Sequence, residues 1–296
     1  MNTDSFDCSV IFRSGAMQKV IRIVERVAST EMAILLTGES GTGKELIADL
    51  IHIRSGRPRS NILKISCSSL EPKQLEDVYR DTQGGTLLLR DICEMPAYTQ
   101  GTLLRLLNKQ EGKPATDDSG GAPKSRIIAV TNCKPEEAVK KGTLLEELYS
   151  RMSAIRLHLP ALRDRREDIM PLANDFLKRF AAQANRVIHG FTAAAVDRLT
   201  TFDWPGNMTQ LQNVIERAVL FSEGDLVSAA DLSIASAKAE PSEGTDTSFT
   251  LLEEVKRNTI IQTLKETGGN KLETAKRLGI GRQTLYNKIK AYGIEV

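Results

Sequence analysis

The sequence lacks any apolar run long enough to cross a membrane. Its longest mainly apolar runs, Ala33–Leu36 and Thr86–Leu89, are far shorter than the roughly 20 residues that a membrane-spanning helix needs. The first ten residues include Asp4 and Asp7 and no long apolar stretch, which argues against a secretory signal. These absences favour a cytoplasmic protein with no membrane partner.

Cysteine is scarce, and its spacing excludes two classes of site. The four cysteines, Cys8, Cys67, Cys93 and Cys133, form no C-x-x-C pair and have no histidine cluster beside them. Isolated thiols of this kind are typical of reduced, mostly buried cysteines in a cytosolic protein. We therefore predict neither a metal centre nor a disulfide framework.

Net charge is also small, but it is unevenly distributed. The 296 residues carry 40 Lys and Arg against 38 Asp and Glu, a formal charge of +2. Residues 250–296 hold nine Lys or Arg against five Asp or Glu, so the basic excess lies at the C-terminus and the remainder is slightly acidic. A local basic excess indicates a polyanion partner. The length allows about two domains.

Short apolar runs alternate with helical stretches between residues 10 and 160. The runs are Ala33–Thr37, Ile62–Ser66, Thr86–Leu89, Arg126–Thr131 and Ile155–Leu159. The helical stretches are Ala16–Ala28, Lys44–Arg54, Pro72–Tyr79, Tyr98–Lys109 and Leu144–Met152, and Glu111–Lys124 is a surface loop. This alternation predicts an α/β fold with a parallel sheet covered on both faces.

The pattern changes after Pro160, where the strands stop. The next helical stretches are Arg166–Ala184, Thr192–Phe202, Thr209–Ser222 and Ala229–Ala237, which predict a small all-α subdomain. The polar segment Lys238–Ser248 has the composition of a linker. We therefore divide the chain into an α/β core at 9–165, a helical subdomain at 166–237, a linker at 238–249 and a small all-α domain at 250–296.

The strongest local motif is GESGTGKE at Gly38–Glu45, between a predicted strand and a predicted helix. Glycines let the backbone fold around phosphates, the helix N-terminus favours anions, and Lys44 reaches the terminal phosphates. We predict ATP or ADP binding, with a merely tight turn as the alternative. The candidate binding residues are Gly38, Glu39, Ser40, Gly41, Thr42, Gly43, Lys44, Glu45 and, at the end of a later strand, Asn132.

GESGTGKE, with glutamate last, resembles the phosphate loop of sigma-54-dependent transcriptional activators, a branch of the AAA+ ATPases. Other segments resemble that family in order and spacing: Ser14–Gln18, Leu46–Gly56, Gly84–Leu88, Arg126–Asn132, Leu159–Ile169, Trp204–Asn207 and the C-terminal Gly268–Tyr292. The resemblance implies an AAA+ P-loop core with an α-helical lid, ring assembly and a Fis-type helix-turn-helix domain.

The chain departs from the family at the strand that follows Gly85. The resemblance implies an Asp-Glu pair there, which positions magnesium and polarises the attacking water, but this chain has Arg90 and Asp91. A guanidinium group would repel Mg²⁺, or would pair with phosphate and support binding without turnover. The alternative is that Arg90 turns to solvent and Asp91 takes over the metal. A role for Mg²⁺ therefore stays open.

Arginine is missing at two further positions that the resemblance implies. Where relatives carry two arginines that reach a neighbouring subunit's nucleotide, this chain has Leu145 and Arg151, and Thr209 stands for the lid's sensing arginine. Arginine stabilises charge on a transferring phosphoryl group, so its loss weakens catalysis more than binding. We expect nucleotide binding with impaired hydrolysis, and Asp91 and Arg151 are the remaining candidate catalytic residues.

The family's GAFTGA loop, which grips the sigma-54 factor, is absent from the sequence. Only residues 68–83 separate Cys67 from Gly84, which leaves a short helix and a turn. We therefore expect that the protein does not remodel a sigma-54 holoenzyme by itself. The AAA+ motifs begin almost at Met1, so we also expect no receiver domain and control through expression, nucleotide or a partner.

Residues 251–296 have the spacing of a helix-turn-helix. Helices are predicted at Leu251–Thr267, Lys271–Leu278 and Arg282–Tyr292, with the third in the major groove of double-stranded DNA. Buried contacts are expected from Ala275, Leu278, Ile280, Leu285 and Ile289, and a dimer face from Leu251, Val255 and Ile261. Base contacts are expected from Arg282, Gln283, Thr284 and Asn287, and phosphate contacts from Tyr286, Lys288 and Lys290.

The sequence thus predicts a sequence-specific DNA-binding transcription regulator whose AAA+ domain binds nucleotide as a structural ligand. It would act as a repressor, as a sigma-54-independent regulator, or in mixed rings with a complete relative. One alternative is a working ATPase that uses Asp91 in a homo- or hetero-oligomeric ring. Another is an architectural DNA-binding protein with an idle Lys44, against which the intact phosphate loop argues.

Overall fold

The computed structural model describes residues 12–57, 61–111 and 125–234, together with 260, 263–264, 267, 271–277 and 285. The chain divides into two compact units, residues 1–235 and 236–296. Among the described residues, no helix is both long and apolar enough to cross a membrane.

The first unit is built on a five-stranded sheet whose strands are all parallel. Its strands are β1 (Ile34–Thr37), β2 (Ile62–Ser66), β3 (Thr86–Arg90), β4 (Arg126–Thr131) and β5 (Ile155–His158). Their order across the sheet is β2-β3-β4-β1-β5. The predicted strands are confirmed to within one residue at each end, and β3 extends to Arg90, which pairs in register with Val130.

Six α-helices pack around the sheet within the part of this unit that the structure describes. They are α1 (Gly15–Val27), α2 (Lys44–Arg54), α3 (Pro72–Asp81), α4 (Ala97–Glu111), α5 (Pro135–Lys140) and α6 (Glu146–Met152). Alternate strand residues face two separate apolar clusters: Leu36 packs with Met17 and Ile47, and Leu35 packs with Leu75 and Leu103. A sheet covered on both faces explains why its central strands are continuous apolar runs.

The helical lid follows β5 within the same unit. Two short 3₁₀ turns, Leu162–Asp164 and Arg166–Asp168, lead into its helices. The helices are α7 (Ile169–Gln183), α8 (Ala193–Thr201) and α9 (Asn207–Phe221). Trp204, just before α9, is fully buried, and its indole N–H donates to Leu199 O at 2.9 Å.

Two predictions for the lid are wrong. It is not all-α, because Gly190–Phe191 (β6) pairs with Leu226–Val227 (β7) in a small parallel sheet. The helix expected at Ala229–Ala237 is not formed over its described part, residues 229–234. The Asp231 carboxylate accepts from Ser228 N and Oγ at 2.8 and 2.7 Å, which closes a single turn.

After that turn, residues 232–234 form no helix: Ser233 N donates to Asp231 O at 3.0 Å, and Ile234 N donates to Leu232 O at 2.7 Å. Leu232 and Ile234 are both buried in the lid. The sequence pattern also did not predict α5, a six-residue helix that begins at Pro135.

The second unit is described only in part. Lys271–Arg277 forms α10, in agreement with the predicted Lys271–Leu278, and Ile260, Thr263, Leu264 and Leu285 are helical. Ile260, Leu264, Ala275 and Leu285 are buried, which supports the packing predicted for Ala275 and Leu285. The predicted linker 238–249 and the predicted DNA-contacting and dimer residues lie outside the described residues, as does most of the loop Glu111–Lys124.

Candidate nucleotide site

The GESGTGKE loop lies at the carboxyl edge of the sheet, between β1 and α2. Gly43 caps α2 with a φ of 96°, and Gly41 has a φ of 74°, both in the left-handed region that favours glycine. A Cβ on Gly41 would lie 2.4 Å from the carbonyl oxygen of Gly206 in the lid. The loop therefore requires glycine both for its conformation and for close approach of the lid.

Lys44 binds the first two carbonyl groups of the loop. Its Nζ donates to Gly38 O at 2.9 Å and to Glu39 O at 2.7 Å, which uses two of its three N–H groups. The Lys44 side chain is buried, and this burial lowers its pKa, while the carboxylates of Asp91 and Glu45 act in the opposite direction. The ammonium group is thus fixed at the loop with one donor left for an anion.

The next three carbonyl groups of the loop are held by the lid and by the segment that enters it. Asn207 Nδ2 donates to Ser40 O at 2.8 Å, and Met208 N donates to Gly41 O at 2.9 Å. Arg165 Nη2 donates to Thr42 O at 2.6 Å. All five carbonyl oxygens from Gly38 to Thr42 therefore accept hydrogen bonds from the protein itself, which fixes the orientation of the loop's peptide groups.

A cleft of about 510 Å³ opens between this loop and the lid. Its lining includes six of the nine predicted nucleotide-binding residues, namely Ser40, Gly41, Gly43, Lys44, Glu45 and Asn132, together with the candidate catalytic residue Asp91, and it does not include Gly38, Glu39 or Thr42. The lid contributes Phe176, Arg179, Met208, Thr209 and Gln212, and β3 contributes Arg90. The volume falls within the range of small-molecule sites, and the charged groups suit an anionic ligand.

Arg90 lies at the end of β3 and faces the cleft together with Lys44. Its Nη1 is 3.6 Å from Glu45 Oε1, too long for a hydrogen bond. Its Nε is buried and has no hydrogen-bond partner among the described residues. Glu45 also has Lys64 Nζ at 3.8 Å, so the two contacts to its carboxylate are both loose.

Asp91 follows Arg90 in a left-handed conformation, with a φ of 55°. Its Oδ1 accepts from Asn132 Nδ2 at 3.2 Å, across from β3 to the end of β4. The structure thus brings together Asp91 and Asn132, two residues that the sequence predicted for this site.

The donor set of the cleft does not fit a magnesium site. Glu45 faces the two cations Arg90 and Lys64, and the Thr42 hydroxyl donates to Glu39 O at 2.9 Å. Asp91 is the remaining carboxylate of the lining, and the Arg90 guanidinium precedes it in the chain. Within the described ranges, no three His, Cys, Asp or Glu side chains converge on one point.

Glu39 has a structural role that the loop motif did not reveal. Arg163 Nη1 donates to its Oε2 at 2.8 Å, Arg163 Nη2 pairs with Oε1, and Asn207 Nδ2 lies 3.2 Å from Oε2. The Arg163 hydrogen bond, followed by that of Asn207, lowers the pKa of Glu39 to about 2. Arg163 and Asn207 stand in segments that resembled the family, but sequence spacing does not indicate their partner.

Arg165 and Asp168 anchor the segment that enters the lid. Arg165 is fully buried over the Phe12 ring, 5.7 Å from its centroid, and burial lowers its pKa to about 10. Asp168 accepts from Ser14 N and Ser14 Oγ at 2.7 and 2.6 Å. These contacts hold the start of α1 and the start of the lid next to the loop.

The two positions predicted to reach a neighbouring subunit lie away from the lining of the cleft. Leu145 caps α6 and is 41% exposed. Arg151, on the same helix, has its Nε 3.9 Å from Glu147 Oε1. Thr209 does line the cleft, as does Arg179 of α7.

Three families match consecutive parts of the chain. Residues 11–162 match the Sigma-54 interaction domain, residues 163–249 match the AAA+ ATPase lid domain, and residues 251–292 match the Fis family of bacterial regulatory proteins. The first match alone covers about half of the sequence.

Individual proteins are similar over almost the whole chain. The regulatory protein AtoC of Escherichia coli (strain K12) is 36% identical over 97% of this chain and 68% of its own length. The transcriptional regulatory protein ZraR of the same strain is 34% identical over 95% of this chain and 68% of its own. The crystal structure of NtrX from Brucella abortus in complex with ADP is 31% identical, with a TM-score of 0.67 over 95% of this chain and 69% of that one.

Proposed function

This chain belongs to the sigma-54-dependent family of bacterial transcription regulators, and we propose that its AAA+ domain binds ATP or ADP as a structural ligand and not as fuel. The protein is a DNA-binding transcription regulator with a sigma-54 interaction domain, a lid and a Fis-type C-terminal domain. NtrX from Brucella abortus has been solved with ADP and with ATP, which supports these ligands for the phosphate loop. We also propose a cytoplasmic location, where DNA and nucleotide are both available.

The observation that carries this proposal is the presence of Arg90 in the same cleft as Lys44. A second cation in the cleft of the P-loop lysine favours binding of phosphate oxygens but supplies no carboxylate to activate water. Leu145 and Thr209 stand where arginines would stabilise the transition state, and neither side chain carries charge. More residues of the site therefore support nucleotide binding than support hydrolysis.

The test is to measure nucleotide binding and hydrolysis on one preparation of the full chain. Wild type is expected to bind ADP and ATP with negligible phosphate release, and Lys44→Ala is expected to lose binding. Arg90→Asp serves as the comparison, because it restores a carboxylate at the end of β3. Sustained release of phosphate by the wild type would contradict the proposal.

The short connection between β2 and β3 supports a second part of the proposal, that the protein does not activate sigma-54 polymerase alone. Between Ser66 and Thr86 the chain forms only the ten residues of α3 and a short turn on either side of it. An open-complex assay with sigma-54 polymerase and this protein as the sole activator is expected to give no transcripts. Transcripts above the polymerase-only level would refute this part.

Without that activity, we propose regulation by repression, by a route independent of sigma-54, or by mixing with a complete relative in one ring. A mixing experiment separates mixed rings from repression at the operator. If mixed rings form, adding this chain changes the ATPase rate of a complete relative, and it leaves that rate unchanged if repression occurs at the operator.

DNA contact is proposed for the third predicted helix of the C-terminal domain, in a dimer. Arg282, Gln283, Thr284 and Asn287 are assigned to base edges, and Tyr286, Lys288 and Lys290 to phosphates. Replacing Arg282 by Ala is expected to reduce discrimination between sites, whereas replacing Lys288 by Ala weakens binding to all sequences alike. Competition between a selected operator fragment and random DNA measures both effects.

An active ATPase is the alternative, and the contact between Asp91 and Asn132 favours it. A carboxylate held by the amide of Asn132 at 3.2 Å, in the same cleft as Lys44, has the elements of a water-positioning group. In that case wild type hydrolyses ATP and Asp91→Asn does not. Hydrolysis that survives Asp91→Asn would exclude Asp91 as the catalytic carboxylate.

A further inference from the structure

Arg90 lines the cleft, and its guanidinium group has few interaction partners there. It ends β3 in register with Val130 of β4, so it lies at the carboxyl edge of the sheet beside the phosphate loop. Its Nη1 lies 3.6 Å from Glu45 Oε1, too far for a hydrogen bond, and its side chain is 41% exposed, so the terminal nitrogens of the guanidinium group are accessible to a ligand in the cleft. A phosphate oxygen is a strong acceptor for such charged donors.

The charges around the cleft have the sign that a nucleotide without metal requires. Lys44, Arg90 and Arg179 contribute three cations to the lining, and Glu45 and Asp91 contribute two carboxylates. Arg179 is paired with Asp175 at 2.8 Å, and the other two cations of the lining are Lys44 and Arg90. Together they can neutralise negative charge that Mg²⁺ neutralises at other phosphate-binding sites.

We infer that this site selects the metal-free form of a nucleoside di- or triphosphate, with Arg90 as the counter-ion in place of Mg²⁺. The inference rests on the proposed nucleotide binding and adds the chemical form of the ligand. Because a divalent cation at the terminal phosphates would lie against the Arg90 guanidinium, Mg²⁺ competes with Arg90 for the same oxygens.

The test is calorimetric titration of the full chain with ADP and with a non-hydrolysable ATP analogue, each in excess EDTA and in excess MgCl₂. Wild type is expected to bind at least as tightly in EDTA as in MgCl₂. Arg90→Gln removes the charge at similar length, and it should weaken binding in EDTA by about tenfold or more. Arg90→Asp should weaken binding in EDTA still further and regain affinity when MgCl₂ is added.

Arg80→Gln is the matched control, because Arg80 lies near the end of α3 and pairs only loosely, with Asp77 at 3.3 Å. It removes the same charge away from the cleft and should titrate as wild type does. Thermal unfolding of each variant checks that it is folded, and the wild-type comparison of EDTA with MgCl₂ tests the preference for metal-free nucleotide without any variant.

Two results would overturn the inference while leaving the proposed function intact. One is wild-type binding that weakens by about tenfold or more in EDTA, and the other is Arg90→Gln that binds as wild type does in EDTA. Failure of the proposed nucleotide binding itself has a different signature, since wild type and Lys44→Ala then give equally flat titrations under both conditions.

Discussion

At the scale of single residues, Glu39 links the phosphate loop to the lid through its ion pair with Arg163. Both side chains remain partly exposed, 45% for Glu39 and 38% for Arg163, so solvent screens the attraction between them. The Arg163 hydrogen bond lowers the pKa of Glu39 from its ordinary 4.5 to about 2 in the folded protein. A carboxylate with a lowered pKa stabilises the fold above its unfolded pKa, and this contribution is lost as pH falls.

Replacing Glu39 by Gln should therefore reduce the free energy of unfolding at neutral pH, by about 1 kcal/mol or less for so exposed a pair. The difference from wild type should shrink as pH falls from 4.5 towards about 2. Urea unfolding at several pH values measures it, with Glu25→Gln on the exposed side of α1 as the control. A difference that stays constant over that pH range would show that charge is not the cause.

The cysteines differ in accessibility in a way that can also be measured. Cys67 and Cys93 are buried, as the sequence suggested, and burial raises the pKa of each thiol to about 12. Cys133 is exposed at the end of β4. Because the thiolate is the reactive form, mild alkylation at neutral pH should modify Cys133 and spare Cys67 and Cys93. Peptide mass spectrometry reads this directly, and rapid labelling of Cys67 would contradict the packing around it.

At the scale of elements, the first residue of α9 joins the lid to the core. Asn207 is fully buried with a φ of 51°; its Nδ2 donates to Ser40 O, and its Oδ1 accepts from Leu162 N at 2.7 Å. Both backbone groups belong to other segments, so one amide side chain holds three parts of the chain together.

Asn207→Ala should destabilise the protein by about 2–4 kcal/mol, because it leaves the buried Leu162 N–H and the partly buried Ser40 carbonyl without their partner and loses a residue type suited to a positive φ. Asn213→Ala is the matched control, since Asn213 is exposed on the same helix. Chemical denaturation compares the two. Equal stability of both variants would mean that water replaces the amide at the lid joint.

The secondary-structure elements also show which features the sequence could predict and which it could not. The central strands β1, β3 and β4 were predictable because each is a mainly apolar run buried on both faces, and the phosphate loop was predictable because its glycine and lysine spacing reflects its backbone. The pairing of β6 with β7 was not predictable, since a strand of two residues has no periodic pattern. Ala229–Ala237 has helical composition, but tertiary burial of Leu232 and Ile234 decides its conformation. Contacts such as Arg163 with Glu39 join residues 124 positions apart, which no local pattern encodes.

At the scale of the whole molecule, opposite charges are segregated between a slightly acidic N-terminal part and a basic C-terminal one. Both proposed ligands, nucleotide and DNA, are polyanions. DNA binding differs because it releases many counterions. The assigned phosphate lysines, Lys288 and Lys290, number four in a dimer, so log affinity for DNA should fall with log salt at a slope of about −3 to −4.

Lys288→Ala should reduce that slope by about 2 per dimer. Fluorescence anisotropy of a labelled operator fragment over a range of KCl concentrations measures the slope. Lys19→Ala, on the exposed surface of α1, provides the control for a general charge effect. An unchanged slope for Lys288→Ala would remove that lysine from the phosphate contacts.

The five hydrogen-bonded carbonyl groups of the phosphate loop affect both the stability of the fold and the affinity for nucleotide. Their donors, Lys44, Arg165, Asn207 and the Met208 amide, belong to segments that come together only when the core and the lid have folded. The entropy of ordering the loop is therefore lost during folding and not again when phosphate binds. Substitutions in the lid that release one of these carbonyl groups should lower nucleotide affinity even though the substituted residue does not contact the nucleotide. Changes at Asn207 or Arg165 are therefore constrained both by the stability of the fold and by nucleotide affinity.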